Sequence, residues 1–549
     1  MKNILKITTV LLGAAVLATG CIKEINPQTN IATQDQVAAA PGAFDNYVNA
    51  ITATMCGAYE FGSGYPYDLG GYPTFVWQWA GMGQDVVPGN GGGSFMSYWY
   101  GSSVALGPEY LVCQFPWTYF YGWISNCNRV LSLTGENPSE SQKVGAGIAY
   151  AMRAFYYMDL ARMFAQETYA SNLEAITVPI VTEKTLDLTN NPRATNEVMW
   201  QFIIDDLNKA EEFLADYDRG TDKTKPDVSF VYGLKARAYL TMEKFAEAET
   251  YAKKAQEGYT MLTEAQYLDH LTAFNTPNDA WMFCVTYKAD DPAVLENDSD
   301  SNWGSQWFNE CGDSGCLYAS NYGDPKYIDA HLYETIPATD FRKKCWVDPA
   351  VDECATEAEA LEFLAPYTDY GHSLINAAAV SSAGVVGHMQ LKYRAGGGAE
   401  GRSDSYKATV VSVPLMRVEE MMLIEAEAVG MQSGREAEGK NLLLAFAQQR
   451  DPEYKYNDLW TLRENILWQR RVEFWGEAAL ATFDIKRLNK GITRSYAGTN
   501  HPESFRWNTT DVPQWFHLCI VQTETNYNLA CVNNPTPIAP TEDSPEHVW

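Results

Sequence analysis

Apolar residues recur at three- and four-residue steps through much of the chain, the spacing that gathers them on one face of a helix. Across residues 197–216 the series is Met199, Ile203, Leu207, Ala210 and Leu214. Across 117–135 it is Trp117, Tyr121, Ile124, Asn128 and Leu131, and a second helix is expected over 145–165. Residues 42–58, 414–430, 436–450 and 462–489 supply further helices. The segments 229–241 and 244–257 predict a helical hairpin turning at Met242-Glu243-Lys244, with Ala236, Ala248 and Ala255 spaced 12 and 7 residues apart. That is the small-residue spacing of a tetratricopeptide repeat, where antiparallel helices approach too closely for large side chains. A generic hairpin with chance alanines is the alternative. The pattern predicts a mostly α fold with a helical repeat scaffold over about 117–257 and 414–489.

Two stretches break this periodicity. Residues 61–116 carry FGSGYPYDLGGYP, WQWAGMGQD, VPGNGGGS and SYWYG. Such glycine- and aromatic-rich chain predicts irregular, surface-lining loops. Residues 258–413 mix turn-rich polar chain with the short alternating runs WMFCVTY, VVGHMQLKY and KATVVSV. These predict a large insertion holding short strands. Residues 490–549 are again irregular, with six prolines.

The N-terminus has its own pattern. Lys2 and Lys6 flank an apolar core, Ile7 to Leu17, followed by Ala18, Thr19, Gly20 and Cys21. A core of about a dozen residues is too short for a permanent bilayer span of ~20. Small residues followed by cysteine predict a lipoprotein signal peptide over 1–20, cleaved so that Cys21 is acylated. An ordinary secretory signal with an incidental cysteine is the alternative. Residues 21–41 then read as a polar tether, and 42–549 as a single domain. No later apolar run is long enough to cross a membrane, so membrane contact is expected through the lipid alone.

With 69 acidic and 40 basic residues the net charge is −29. Such a surface repels phosphate backbones, so no nucleic-acid partner is expected. Ten cysteines besides Cys21 show no CxxC pair, which argues against a zinc ribbon. Cys311 with Cys316, and Cys345 with Cys354, would close short loops; the pairing is left open.

Candidate chemistry is sparse. Gly312-Asp313-Ser314-Gly315 matches the nucleophile segment of trypsin-like proteases, but no His and Asp stand in a fitting arrangement. Gly434 to Lys440 resembles a phosphate loop, yet Asn441 replaces the magnesium-binding hydroxyl and no strand precedes it; a helix connection is the expectation. Asp298, Asp300 and Asn302 alternate, with Glu310 downstream. Alternating oxygen ligands ending in a carboxylate suit a structural calcium ion, against the plainer reading of a solvated acidic turn. No catalytic residue is singled out.

The aromatics carry the sharper expectation. Sugar rings expose apolar C–H faces that stack on Trp and Tyr, while Asp and Asn bond their hydroxyls. Trp77, Trp79, Tyr98, Trp99 and Tyr100 lie in glycine-rich chain beside Asp85 and Asn90, and Trp303, Trp307 and Tyr322 repeat the theme in the insertion. Asp85, Asn90, Tyr98, Trp99, Tyr100, Trp303, Trp307 and Tyr322 are therefore the expected ligand-binding residues, with core packing the alternative for each.

Several segments together carry a resemblance: Gly83-Gln84-Asp85, WTYFYGWISNCNRV (117–130), AMRAFYYMDLARMF (151–164), PIVTE (179–183) and RATNEVMWQFIIDDLNKA (193–210). LKARAYL (234–240), Asp340 to Arg342, PLMRVEEMMLIEAEA (414–428), RENILWQRRVEFWGE (463–477), FDIKRLNKG (483–491) and ETNYNLACVNNP (524–535) continue it. In order and completeness they resemble the SusD/RagB family of outer-membrane nutrient-binding lipoproteins from Bacteroidetes. One departure is AALAT (478–482), where the family usually has an arginine and one residue fewer. The resemblance implies a SusD-like fold with tetratricopeptide-type helix pairs packed against the insertion. It further implies a non-enzymatic, surface-exposed, lipid-anchored protein of the outer membrane. Such a protein binds an oligosaccharide or polysaccharide and acts as the lid of a SusC-like, TonB-dependent barrel. A peptide-binding relative with the same lid role and a lipid-anchored glycoside hydrolase are the alternatives.

Overall fold

Helices occupy the stretches whose apolar spacing predicts them, three of them with a side-chain N-cap. The computed structural model describes residues 42–58, 70–89, 106–312 and 316–537. The expected signal peptide, Cys21 and the whole tether lie outside them. Residues from Tyr47 onward form one compact unit.

Helix α1 spans Ala43–Ala53 and α2 spans Tyr72–Gly81. Two long helices follow, α3 (Leu111–Thr134) and α4 (Lys143–Phe164). The next, α5 (Asn196–Leu214), starts where the Thr195 side chain accepts from the Val198 N–H, and Met199, Ile203, Leu207, Ala210 and Leu214 are all buried. A cap of this kind contributes about 1 kcal/mol. Then come α6 (Val228–Thr241), capped by Asp227, and α7 (Phe245–Gln256). Ala236, Ala248 and Ala255 are fully buried where the last two helices meet. The turn between them places Glu243 at φ +56. Helices α3 to α7 pack each on the next, as the repeat spacing predicts.

The insertion leaves and rejoins this scaffold through one strand pair. Strand β1 (Val86–Pro88) pairs antiparallel with β5 (Lys326–Ile328), and β2 (Ile176–Pro179) with β3 (Arg193–Thr195). Strand β4 (Trp281–Thr286) pairs antiparallel with β6 (Ser412–Arg417), with Val285 opposite Val413 and Thr286 opposite Ser412. The runs WMFCVTY and KATVVSV thus supply strands, as expected. VVGHMQLKY contributes only isolated bridges, Met389 to Tyr327 and Gln390 to Trp346. Inside the insertion lie the short helices α8 (Trp303–Trp307), α9 (Tyr318–Asn321) and α10 (Ala330–Thr335), and the longer α11 (Gly371–Val380).

The scaffold resumes with α12 (Val418–Gly430), α13 (Glu436–Ala447), α14 (Leu462–Glu473) and α15 (Leu480–Arg487). Helix α12 packs on α7, so the repeat stack continues across the insertion. The phosphate-loop-like run is a helix connection: Gly439 lies inside α13, and a Cβ there would stand 2.5 Å from the Gly430 Cα. In AALAT, Ala478 (φ +46) and Ala479 (φ +52) are both left-handed, just before α15.

Buried charges join elements far apart in sequence. Arg153 of α4 holds Asp206 of α5 at 2.7 and 2.8 Å, Glu183 at 2.7 Å and Asn128 of α3 at 2.8 Å. Arg237 holds Glu420 across the insertion at 2.7 and 2.8 Å. Glu473 accepts from Arg342, Arg417 and Arg450 at 3.0–3.1 Å. Burial alone would raise the Glu473 pKa, but the three guanidiniums hold it well below the usual carboxylate range. All ten cysteines among the described residues are free thiols. No described helix is long and apolar enough to cross a membrane.

Candidate functional site

The site is built around Gly89, where β1 ends and residues 90–105 continue the chain. The Gly89 N–H donates to the Pro325 carbonyl at 2.8 Å. Its own carbonyl accepts from Ser381 Oγ at 2.9 Å and from the Ala383 N–H at 3.2 Å. A Cβ at this position would lie 2.6 Å from Pro325 Cδ, so only glycine fits without movement. The same corner needs a second glycine. Gly323 sits at φ +78, and a Cβ there would lie 2.4 Å from the Val380 carbonyl oxygen. These two contacts press the turn after α9 against the end of α11.

That turn presents an aromatic pair. Tyr318 and Tyr322 sit one helical step apart, with ring centroids at 5.1 Å and planes at 36°. Tyr322 is 45% exposed and Tyr318 half-buried. Offset rings of this kind offer an apolar face with a polar rim.

A cleft of about 300 Å³ opens on the other side of Gly89, lined among others by Tyr327, His388, Asn500 and Arg506. His388 is held in the left-handed region at φ +68, its ring 5.0 Å from and perpendicular to that of Tyr333. Burial pushes its pKa down, so the neutral imidazole dominates at neutral pH. Asn500 is committed to the frame, bonding the Ala330 N–H and the Ile328 carbonyl, both at 2.9 Å. Arg506 donates to the His501 carbonyl at 2.7 Å. Beneath the cleft, buried Asp329 accepts from Tyr496 Oη at 2.5 Å and lies 3.3 Å from His501 Nε2. This arrangement supplies stacking faces and hydrogen-bonding groups on a rigid frame, which is a recognition chemistry.

The structure sorts the expected ligand residues into three groups. Asn90, Tyr98, Trp99 and Tyr100 lie outside the described residues. Tyr322 is at the surface, as expected. Asp85, Trp303 and Trp307 are corrected. Asp85 is buried and paired with Arg471 at 2.5 Å, and its carbonyl accepts from Trp475 Nε1 at 2.7 Å. The turn before it is equally committed, since Arg494 donates to the carbonyls of Gly81, Met82 and Gly83 at 2.7–3.2 Å. Trp303 and Trp307 are fully buried with Tyr393 and Trp475: Trp303 lies 5.0 Å from Tyr393, and Trp307 lies 5.2 Å from Trp475. Trp77 and Trp79 are likewise core residues.

The calcium expectation is corrected on the same ground. Asn302 is the cap of α8, accepting from the Ser305 N–H and donating to Ala293 and Ser299 carbonyls. Glu310 is buried and bonded to Thr368 and Arg394, with Arg402 at 3.6 Å. Asp300 accepts from the Leu317 N–H at 2.5 Å, and Asp298 bonds Tyr406 at 3.2 Å. Among the described residues no group of three His, Cys, Asp or Glu is placed to hold a metal ion.

Tyr318, His388 and Arg506 escaped the sequence reading. Tyr318 had a signal, its four-residue spacing from Tyr322. His388 and Arg506 had none, because the cleft joins segments more than a hundred residues apart.

Residues 109–240, covering α3 to α6, match the family model SusD-like_3, described as starch-binding and associating with the outer membrane. No curated protein matches the chain. Among solved structures, a SusD superfamily protein from Bacteroides vulgatus aligns with TM-score 0.69 at 18% identity, over 94% of this chain and 100% of its own. A SusD-like carbohydrate binding protein from the same species aligns with TM-score 0.67 at 20% identity, over 89% and 97%. Surface glycan-binding protein A from Bacteroides thetaiotaomicron, in complex with laminarihexaose, aligns with TM-score 0.65 at 15% identity, over 90% and 99%. The chain has the mostly α, SusD-like fold. Within it, residues 109–240 are similar to the SusD-like family.

Proposed function

We infer that the protein captures a glycan at the cell surface, without catalysis, and passes it to an outer-membrane importer. The observation that carries this reading is the surface pair Tyr318 and Tyr322 beside the polar cleft of His388 and Arg506, at the point where the aromatic-rich segment 90–105 begins. Stacking faces flanked by hydrogen-bonding groups suit a sugar ring. Two neighbours in fold support the ligand class: one is named a carbohydrate binding protein and the other holds laminarihexaose. The leader ending at Cys21 supports placement by a lipid anchor. On this reading the body swings on its tether as the lid of a SusC-like, TonB-dependent barrel, and the tether keeps the local concentration high.

Titration calorimetry against a panel of neutral oligosaccharides tests the ligand class. Binding of at least one, weakened by Tyr322→Ala without loss of thermal stability, is expected. Binding of peptides and of no glycan would select the peptide-carrying alternative, and product formation on incubation would overturn the non-enzymatic reading.

A further inference from the structure

A second cleft lies across α10 from the first. At one end of this helix the Ala330 N–H bonds Asn500 of the first cleft, at 2.9 Å. At the other end Thr335 Oγ1 accepts from Trp468 Nε1 at 2.8 Å and lines the second. The second cleft encloses about 470 Å³, within the ~300–1,000 Å³ of ordinary small-molecule sites. Its walls include Tyr454, Trp460 and Trp468. The Tyr454 and Trp468 rings lie nearly parallel, at 22° with centroids 6.5 Å apart. Trp460 is half-buried, on a loop held in place from beneath: the Asn465 side chain accepts from the Asn457 N–H and donates to the carbonyls of Asn457, Trp460 and Thr461, all at 3.0–3.4 Å. Glu453 and Lys455 stand exposed at the rim, and buried Asp451 also lines the cleft, accepting from the Glu453 N–H at 2.9 Å.

We propose that this cleft is a second saccharide site. Tyr454 and Trp460, both half-buried, give a sugar ring apolar faces to stack on, with the nearly buried Trp468 stacked on Tyr454. Opposite charges at the rim give its hydroxyls an acceptor and a donor. With Asp451 also in the lining the cleft is net negative, which disfavours an anion. Fixing the loop through Asn465 removes the ordering cost of binding. The ligand class rests on the proposed function; the position does not, because no residue of this cleft belongs to the first site. Two sites on one molecule let a polysaccharide engage both, raising avidity without new contacts.

Native gels containing laminarin, soluble starch or galactomannan test the proposal, with wild type, Tyr322→Ala, Trp460→Ala, the Glu453→Ala/Lys455→Ala pair, and Tyr322→Ala/Trp460→Ala. In a polysaccharide that retards the wild type, Trp460→Ala should weaken retention about three- to tenfold, as loss of one of two sites does. The exposed Glu453/Lys455 pair should weaken it in the same direction with an unchanged melting curve. Loss of retention only when Tyr322 and Trp460 are both removed establishes two sites. Wild-type retention by both Trp460→Ala and the charge pair, with loss on Tyr322→Ala, overturns the second site and leaves the first. Retention lost on Trp460→Ala but not on Tyr322→Ala overturns the first and keeps the second. No retention by any of the three gels overturns both.

Discussion

The guanidinium of Arg471 grips the carboxylate of Asp85, 386 residues earlier in the chain, at 2.5, 3.1 and 3.2 Å. Both side chains are almost fully buried. Removing one partner of a buried pair strands the other charge, at a cost of about 3–5 kcal/mol. Asp85→Ala should therefore lower the melting temperature sharply, by this route and not through ligand contact. Calorimetric titration of whatever fraction remains folded should return the wild-type affinity. A stable variant with weakened binding would restore Asp85 to the ligand site.

Tyr322 and Trp303 should separate binding from stability. Tyr322→Ala removes an exposed ring and should leave the melt within ~0.5 kcal/mol of wild type, while weakening glycan binding about tenfold, a loss of ~1.4 kcal/mol. Trp303→Ala empties a packed position and should cost ~3–5 kcal/mol. Paired melts and titrations check both, and the reverse assignment would show that the insertion's tryptophans face the ligand.

Gly323→Ala tests the corner that presents the tyrosine pair. The new Cβ meets the Val380 carbonyl oxygen, and the left-handed φ adds ~1–2 kcal/mol for any L side chain. The turn must shift, so both stability and glycan affinity should fall. Ser substitution should behave as Ala does. Binding unchanged in a destabilised variant would place the site away from Tyr322.

Asp300 predicts an unusual pH response. Burial, followed by the nearby Asp298 charge, raises its pKa to about 7. A carboxyl whose folded pKa lies above its unfolded value of ~3.9 costs stability as pH rises through that window. Asp300→Asn keeps an acceptor for the Leu317 N–H and removes the charge. It should gain on the order of 1–2 kcal/mol at pH 8 and progressively less as pH falls toward ~4, read from melts across that range. Calcium added to the wild type at pH 8 should not shift the melt. A rise reversed by chelator would return the metal site to consideration.

The helical half of the molecule was legible because its information is local. Met199, Ile203, Leu207, Ala210 and Leu214 mark their face by spacing alone, and Ala236, Ala248 and Ala255 mark a close helix crossing. The strand pair was legible from alternation, but its partners were not, since Trp281 meets Arg417 across the whole insertion. The site was harder to read. Trp303 and Trp307 looked like surface aromatics because polar, glycine-bearing chain surrounds them, yet Tyr393 and Trp475 cover them. Burial of a tryptophan in a five-residue helix is decided by partners that no local pattern reveals. The acidic run failed for the same reason: arginines some ninety residues away claim Glu310.

The strand pair β4–β6 makes the insertion behave like a cassette. Its two ends meet at Thr286 and Ser412, whose hydroxyls are 2.7 Å apart. Exposed loops between them can lengthen or diverge at little cost, since loop-closure cost grows only slowly with length, while Arg342 and Trp307 must keep their places against Glu473 and Trp475. New ligand preferences can thus be written between two fixed doorposts while the helical stack keeps its shape.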